Sequence, residues 1–225
     1  MMDWTAIALS VKLAGIVCAI LLVLALPVAY WLTFSRWRGT FLVESVVALP
    51  LVLPPTVIGF YLLVLMGSRS PVGRFWTAWT GHGFAFTFEA LVVASVLYSL
   101  PFAVQPLAAA FALVDPALIE ASSVLGSSSL RTFLRVILPL SIPGVITAAV
   151  LTFAHTLGEF GVVLMVGGNL PGITRTVSVA IYDDVQALDF ATAHATAIVV
   201  LLFAFTMLAI VYAVNRRPWS VPYRP

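Results

Sequence analysis

Few side chains in this sequence are of a type and spacing that could do chemistry. His155 and Glu159 stand four residues apart, as half of a metal site would on one helical face, but no further ligand follows at a suitable distance, so metal binding is not expected. His82 and His194 are single imidazoles with no partner in the pattern. Nucleophilic catalysis needs a base and an orienting group beside the nucleophile, and no such set can be assembled from the spacing. The single lysine, Lys12, is not in a Gly-x-x-x-x-Gly-Lys-[Ser/Thr] phosphate loop, so any ATP hydrolysis must come from another chain. Cys18 is alone, which excludes a disulfide scaffold. The chain therefore reads as a non-enzyme with no cofactor of its own. What remains is Glu159, in Gly158-Glu159-Phe160-Gly161, an ionisable group next to a long apolar stretch and hence a functional candidate. Its negative charge is wrong for binding an anion. A structural or gating role is expected near the outer end of its span, with Arg175 as the expected partner.

The elements that carry these residues follow from composition. The 225 residues are 62% hydrophobic and only 9% charged, with mean hydropathy +1.11, whereas soluble domains carry roughly a quarter charged residues. Disorder is excluded by the same figures, and a net charge of +2 does not suggest nucleic acid as a partner. A transmembrane helix needs about 20 apolar residues, and five stretches without Asp, Glu, Lys or Arg pass: Leu13 to Ser35, Ser45 to Ser68, Ala90 to Val114, Val136 to Gly158 and Phe190 to Asn215. Phe75 to Phe88 is too short and reads as an interfacial loop. Ile173 to Leu188 is amphipathic and is a candidate sixth segment lying at the surface or dipping in. Asp3 and the length of the first apolar run argue for a retained helix rather than a cleaved signal.

Five crossings put the termini on opposite sides. Arg36, Arg38, Arg131, Arg135, Arg216, Arg217 and Arg224 then fall on one side, against Lys12, Arg69, Arg74 and Arg175 on the other. The positive-inside rule predicts a cytoplasmic C-terminus and an outside N-terminus. Proline removes a helical hydrogen bond, which lipid tolerates only where protein or a water-lined cavity satisfies the freed carbonyl. Pro50, Pro54, Pro55, Pro101, Pro106, Pro139 and Pro143 fall in three consecutive spans, which predicts the interrupted helices of a transporter rather than a passive anchor. No span has a basic cluster at its centre, so an anion path would be lined by neutral donors such as Thr56, Ser95, Ser99, Thr147 and Thr152.

Between the third and fourth spans, Asp115 and Pro116 are a helix start: the carboxylate caps free amides and the ring takes the first helical position. Gly126 supplies the stop, leaving Ala117 to Leu125, too short to span, with Leu118, Ala121 and Leu125 on one face. A second amphipathic stretch sets Leu130, Phe133, Leu134 and Ile137 on one face and Arg131 and Arg135 on another, and runs into Leu138-Pro139-Leu140.

Glu120-Ala121-Ser122, then Gly126, then Ile137-Leu138-Pro139 resembles the cytoplasmic loop of binding-protein-dependent ABC importer permeases, with Ser122 where that motif usually has alanine. Leu49-Pro50-Leu51-Val52-Leu53-Pro54-Pro55-Thr56-Val57-Ile58-Gly59, the Gly158 to Gly161 segment and Gly168-Asn169-Leu170-Pro171-Gly172-Ile173-Thr174-Arg175-Thr176 are similar to the molybdate permeases of that family. The resemblance implies an all-α polytopic membrane protein of the type I ABC importer permease fold, residues 1–225 forming one domain with its core at about 10–215 and a coupling loop at 115–135. It implies import of molybdate, with tungstate as a co-substrate, across the cytoplasmic (inner) membrane. It also implies a homodimer, two cytoplasmic ATP-binding subunits that use ATP and magnesium, and an external molybdate-binding protein. Asp115, Pro116, Glu120, Ala121, Ser122, Gly126, Leu138 and Pro139 would couple to the ATPase, Glu120 anchoring the loop and Gly126 permitting its turn. Pro54, Pro55, Thr56, Thr152, Gly158, Glu159, Gly161 and Arg175 would line or gate the path. The rival readings are a sulfate or thiosulfate permease of the same class, an ion-coupled carrier without ATPase subunits and, ranked last, an intramembrane enzyme for which His155 and Glu159 are the only hint.

Overall fold

A computed structural model describes residues 2–214, which form twelve α-helices and one π-helical turn. Arg216, Arg217 and Arg224, counted above for sidedness, and Asn215, the expected end of the last span, lie outside the described residues.

Helix α1 (Trp4–Phe34) begins at Asp3, whose carboxylate accepts from the Ala6 amide at 3.0 Å. Its 31 residues make a rod of about 46 Å, longer than the roughly 30 Å of bilayer hydrocarbon. Leu9, Leu13, Val17, Leu21, Ala25 and Ala29, each four apart, form its buried face. In lipid the gain from such a face is close van der Waals packing, which the small residues Ala14, Ala25 and Ala29 permit. The partner is α5 (Phe88–Ala112). These helices run parallel: Lys12 Nζ lies 4.8 Å from the Phe88 ring centre at one end, and Thr33 Oγ1 donates to the Ala108 carbonyl at 3.4 Å toward the other.

Helices α2 (Thr40–Val52) and α3 (Pro55–Met66) connect them and meet at a bend of 108°. The break is at Leu53 and Pro54, both extended, with Pro55 as the first residue of α3. Pro50 sits inside α2, and Pro101 and Pro106 inside α5, without interrupting either helix, so only part of the proline pattern marks real breaks. Helix α4 (Pro71–Thr80) follows, correcting part of the expected Phe75 to Phe88 loop: Ser70 caps it, accepting from the Gly73 amide at 2.8 Å, and Gly81 ends it.

Beyond α5 come α6 (Pro116–Val124), α7 (Ser129–Thr132), a π turn (Phe133–Ile137) and α8 (Leu138–Leu140). The extra residue per turn alters the expected amphipathic row: Ile137 is buried and Phe133 packs on the core, while Leu130 and Leu134 face outward. A 74° bend near Ser141 then starts α9 (Ile142–Gly158) at Ile142, six residues later than the sequence suggests. It runs antiparallel to α5, with Ser141 Oγ 3.5 Å from the Ala110 carbonyl and Thr156 Oγ1 3.0 Å from Ser99 Oγ.

Helix α10 (Gly161–Gly167) continues to the Phe88 end, where the Phe86 amide donates to the Val166 carbonyl. Helix α11 (Val177–Gln186), ten residues, is too short to cross, so the Ile173 to Leu188 segment supplies no sixth span by length. Asp189 then caps α12 (Phe190–Val214), accepting from the Thr192 amide at 3.1 Å; the Thr192 hydroxyl and amide hold its carboxyl below the usual carboxylate range. Among the described residues, three helices are long and apolar enough to cross a membrane, or five if each bent pair counts as one.

Candidate functional site

The first candidate site is the loop at the Phe34 end. Asp115 Oδ1 accepts from the Ala117 amide at 2.9 Å and Pro116 takes the first helical position, as the residue types require. The helix ends one residue earlier than expected: Leu125 is its C-cap, and Gly126 at φ +75° turns the chain so that the Ser127 amide reaches the Ser122 carbonyl. Ser122 Oγ lies 2.9 Å from Thr132 Oγ1, tying α6 to α7, and Ile119 packs on the core. No residue of α6 is buried, and Val124 and Leu125 are 88% and 84% exposed. Glu120 and Ala121 are exposed as well, so within the chain the tether is Ser122 rather than Glu120. Leu138 and Pro139 lie in α8, between the π turn and the bend at Ser141 that starts α9.

The second candidate site is the place where the break at Leu53 and Pro54 meets a further break, at Glu159 and Phe160 between α9 and α10. Gly161 faces Pro55 so closely that a Cβ on it would stand 2.6 Å from the Pro55 Cβ, and one on Gly59 would stand 2.6 Å from the Met165 Cβ. Hence α3 and α10 climb side by side from a shared origin. Glu159, extended at φ −67° and ψ 137° and 5% exposed, turns its carboxylate onto α10, where Oε1 accepts from the Val162 amide at 3.0 Å. An acid is suited to this place because the first amides of a helix have no partner within it, and no water replaces one in an apolar interior.

Depth corrects the expected position of Glu159. Ser99, near the middle of α5, pairs with Thr156, so Glu159 lies three residues beyond mid-helix and α10 carries the chain onward. The antiparallel register brings Ser95 to about the same level. Ser95 Oγ and Glu159 Oε2 are both buried and have no hydrogen-bond partner among the described residues, as is true of Thr152 Oγ1 one turn below Thr156. Thr147, by contrast, bonds the Pro143 carbonyl of its own helix. Pro54, Thr56 and Gly158 are exposed on the single chain beside the same breaks.

The expected pairing of Glu159 with Arg175 is overturned. Arg175 Nε donates to Asn169 Oδ1 at 2.7 Å, and its other nitrogens lie 3.3 Å from Asp183 and 3.8 Å from Asp3. This cluster joins the start of α1, the loop after α10 and α11, and the Val177 amide donating to Ser10 Oγ at 2.7 Å reinforces it. Three chain segments contribute, so Asp3 and Asp183 could not be matched to Arg175 from spacing. His155 does not share a helical face with Glu159 either, since the helix ends between them. Its ring stacks on Phe102 at 3.9 Å, and among the described residues no three His, Cys, Asp or Glu side chains approach closely enough to hold a metal.

Residues 8–220 match the family model described as binding-protein-dependent transport system inner membrane component. The molybdenum transport system permease protein ModB of Azotobacter vinelandii is 51% identical over 215 residues, 95% of each chain. The protein of the same description from Escherichia coli strain K12 is 39% identical over 184 residues, 82% of this chain and 80% of its own. Among solved structures, a bacterial ABC transporter involved in the import of the acidic polysaccharide alginate superposes with a TM-score of 0.73 at 19% identity, covering 94% of this chain and 77% of that one. The likeness is one of fold: all-helical, of the type I ABC importer permease kind.

Proposed function

The chain belongs to the binding-protein-dependent transport system inner membrane component family, and from that premise we propose that it is the channel-forming permease of an ATP-driven molybdate importer. The 51% identity to a molybdenum permease across 95% of both chains carries the substrate, with tungstate as a second cargo of the same charge and shape. The observation that carries the mechanism is α6, a capped helix held by Ser122 and Ile119 with its remaining surface, including Val124 and Leu125, uncovered. A short rigid helix with exposed apolar side chains is suited to a cleft in another subunit. Two ATPase subunits, using ATP and magnesium, would each receive one such helix, and the exposed Glu120 would anchor it there. Asp115, Pro116, Ala121, Gly126, Leu138 and Pro139 would make the loop stiff enough to transmit their motion.

Moving a dianion through hydrocarbon costs many kcal/mol without a polar path. The described basic residues lie at the two ends of the bundle, so the path would present neutral hydroxyls rather than cations and would not hold the anion tightly. We assign it to the interface of two copies of this chain, along Pro54, Thr56 and Gly158, with Pro55, Glu159 and Gly161 as the pivot and Thr152 below. Arg175, tied to Asp3 and Asp183, would belong to the outer gate. An external binding protein would supply specificity. In this reading α2 with α3, and α9 continued by α10, each cross once, giving five spans, with the N-terminus outside and the C-terminus in the cytoplasm.

The test is uptake of labelled molybdate by cells lacking their own high-affinity importer and expressing this chain with its ATPase and binding protein. Excess tungstate should abolish uptake and excess sulfate should not. Equal competition by sulfate would replace molybdate by sulfate as the cargo, and uptake by the chain without the ATPase would point to an ion-coupled carrier.

A further inference from the structure

Helix α4 has a separate surface of its own. Its ten residues span about 15 Å, half the hydrocarbon thickness, so it cannot cross the membrane. It is joined by four residues to the end of α3 and by seven to the start of α5, and Gly73 lies against the Gly67 carbonyl, which fixes the helix beside the end of the bundle. Its rotation is set by Trp76, stacked on Phe84 at 4.1 Å with the ring planes 11° apart. That leaves Val72, Phe75 and Trp79 in one row, 40%, 72% and 75% exposed. Elsewhere the exposed apolar rows belong mostly to long or paired helices that can face lipid along a crossing. The α4 row belongs to a helix that lies at the end of the crossings.

The charge pattern selects the occupant. Arg74 projects roughly 100–160° around the helix from the apolar row, and Arg69 precedes its cap. Both are exposed and neither is in an ion pair among the described residues, and no Asp or Glu occurs between Glu44 and Glu89. An apolar row with aromatic side chains on one side and uncompensated guanidinium groups on the other matches the boundary between acyl chains and lipid phosphates. We propose that α4 is a lipid-binding surface helix, with Val72, Phe75 and Trp79 inserted among the acyl chains and Arg69 and Arg74 on phospholipid phosphates. It would hold the outer ends of α3 and α5 at a fixed depth. The proposal requires that the bundle sits in a membrane and does not depend on what it transports.

The test uses the full chain with its ATPase in vesicles of phosphatidylethanolamine and phosphatidylglycerol, with a nitroxide on Phe75→Cys, Trp79→Cys or Arg74→Cys in a Cys18→Ala background. The labels at 75 and 79 should be relaxed severalfold more by oxygen than by a water-soluble nickel chelate, and the label at 74 should show the reverse. Lipids brominated near the headgroup should also quench the emission that Trp79→Phe removes from the otherwise unchanged chain. If the labels at 75 and 79 are as open to nickel as the label at 74, or become shielded only when the binding protein is added, the row is a protein-docking face and the lipid assignment fails.

Discussion

Glu159 is the side chain whose surroundings say most about its task. Its carboxylate closes the free end of α10 inside an apolar bundle, so Glu159→Ala should cost about 0.5–2 kcal/mol, as loss of a helix cap does, while Glu159→Gln keeps an accepting oxygen and should cost less. Thermal unfolding of the two variants in detergent measures the difference; equal losses would mean that the charge, and not the cap, matters. The two close-approach glycines make a sharper case. A side chain at Gly161 or Gly59 must push apart α3 and α10, so Gly161→Val and Gly59→Val should each destabilise by about 1–3 kcal/mol, visible as a lowered melting temperature. If Gly161→Val melts as the wild type does, the helices are not in contact there. The identity of Glu159 as the singular residue was legible from its apolar setting. Its partner was not, because Arg175 was the nearest cation in sequence, whereas the actual partner is the backbone amide of Val162.

At the scale of elements, α6 and its turn were the most legible part of the chain, since Asp115, Pro116 and Gly126 act on their immediate neighbours. Gly126 at φ +75° is costly for any side chain with a Cβ, so Gly126→Val should reshape the turn and abolish uptake while the protein remains in the membrane at normal level. Leu125→Asp puts a charge on an exposed apolar position of the loop, and should reduce recovery of the ATPase with the purified permease. Normal co-purification together with normal uptake would remove α6 from the coupling role. Proline was a weaker guide. Pro54 and Pro55 end one helix and start another, whereas Pro101 and Pro106 are absorbed within α5, which stays continuous through them while packed against α1 and α9. The π turn at Phe133–Ile137 carried no sequence signal of its own, since its residues fit an ordinary helical repeat equally well.

For the whole molecule, the cluster of Asp3, Arg175, Asn169 and Asp183 ties the beginning of the chain to its last third. Its ion pairs are partly exposed, so Arg175→Ala should cost only about 1 kcal/mol, yet it should speed hydrogen exchange across residues 168–186 and at the start of α1 together. Exchange confined to the Arg175 loop would mean that the cluster does not join these segments. The charge asymmetry behind the expected sidedness is also a property of the whole chain: the described residues divide four against four, Arg36, Arg38, Arg131 and Arg135 opposite Lys12, Arg69, Arg74 and Arg175. The sequence by itself determined that the chain is helical and lives in lipid, roughly where its apolar helices run, and that a capped helix interrupts them, because hydropathy, proline and capping act over one or two turns. Only the tertiary structure decided that the breaks at Pro54 and Glu159 meet, that Glu159 lies near mid-depth rather than at an edge, and that Arg175 belongs to Asp3 and Asp183. Those facts depend on which helices lie parallel and in what register. Lipid gives no hydrophobic pattern from which to read that, since the faces that meet lipid and the faces that meet one another are equally apolar, and the choice falls to small residues, hydroxyl pairs and close contacts between distant parts of the chain.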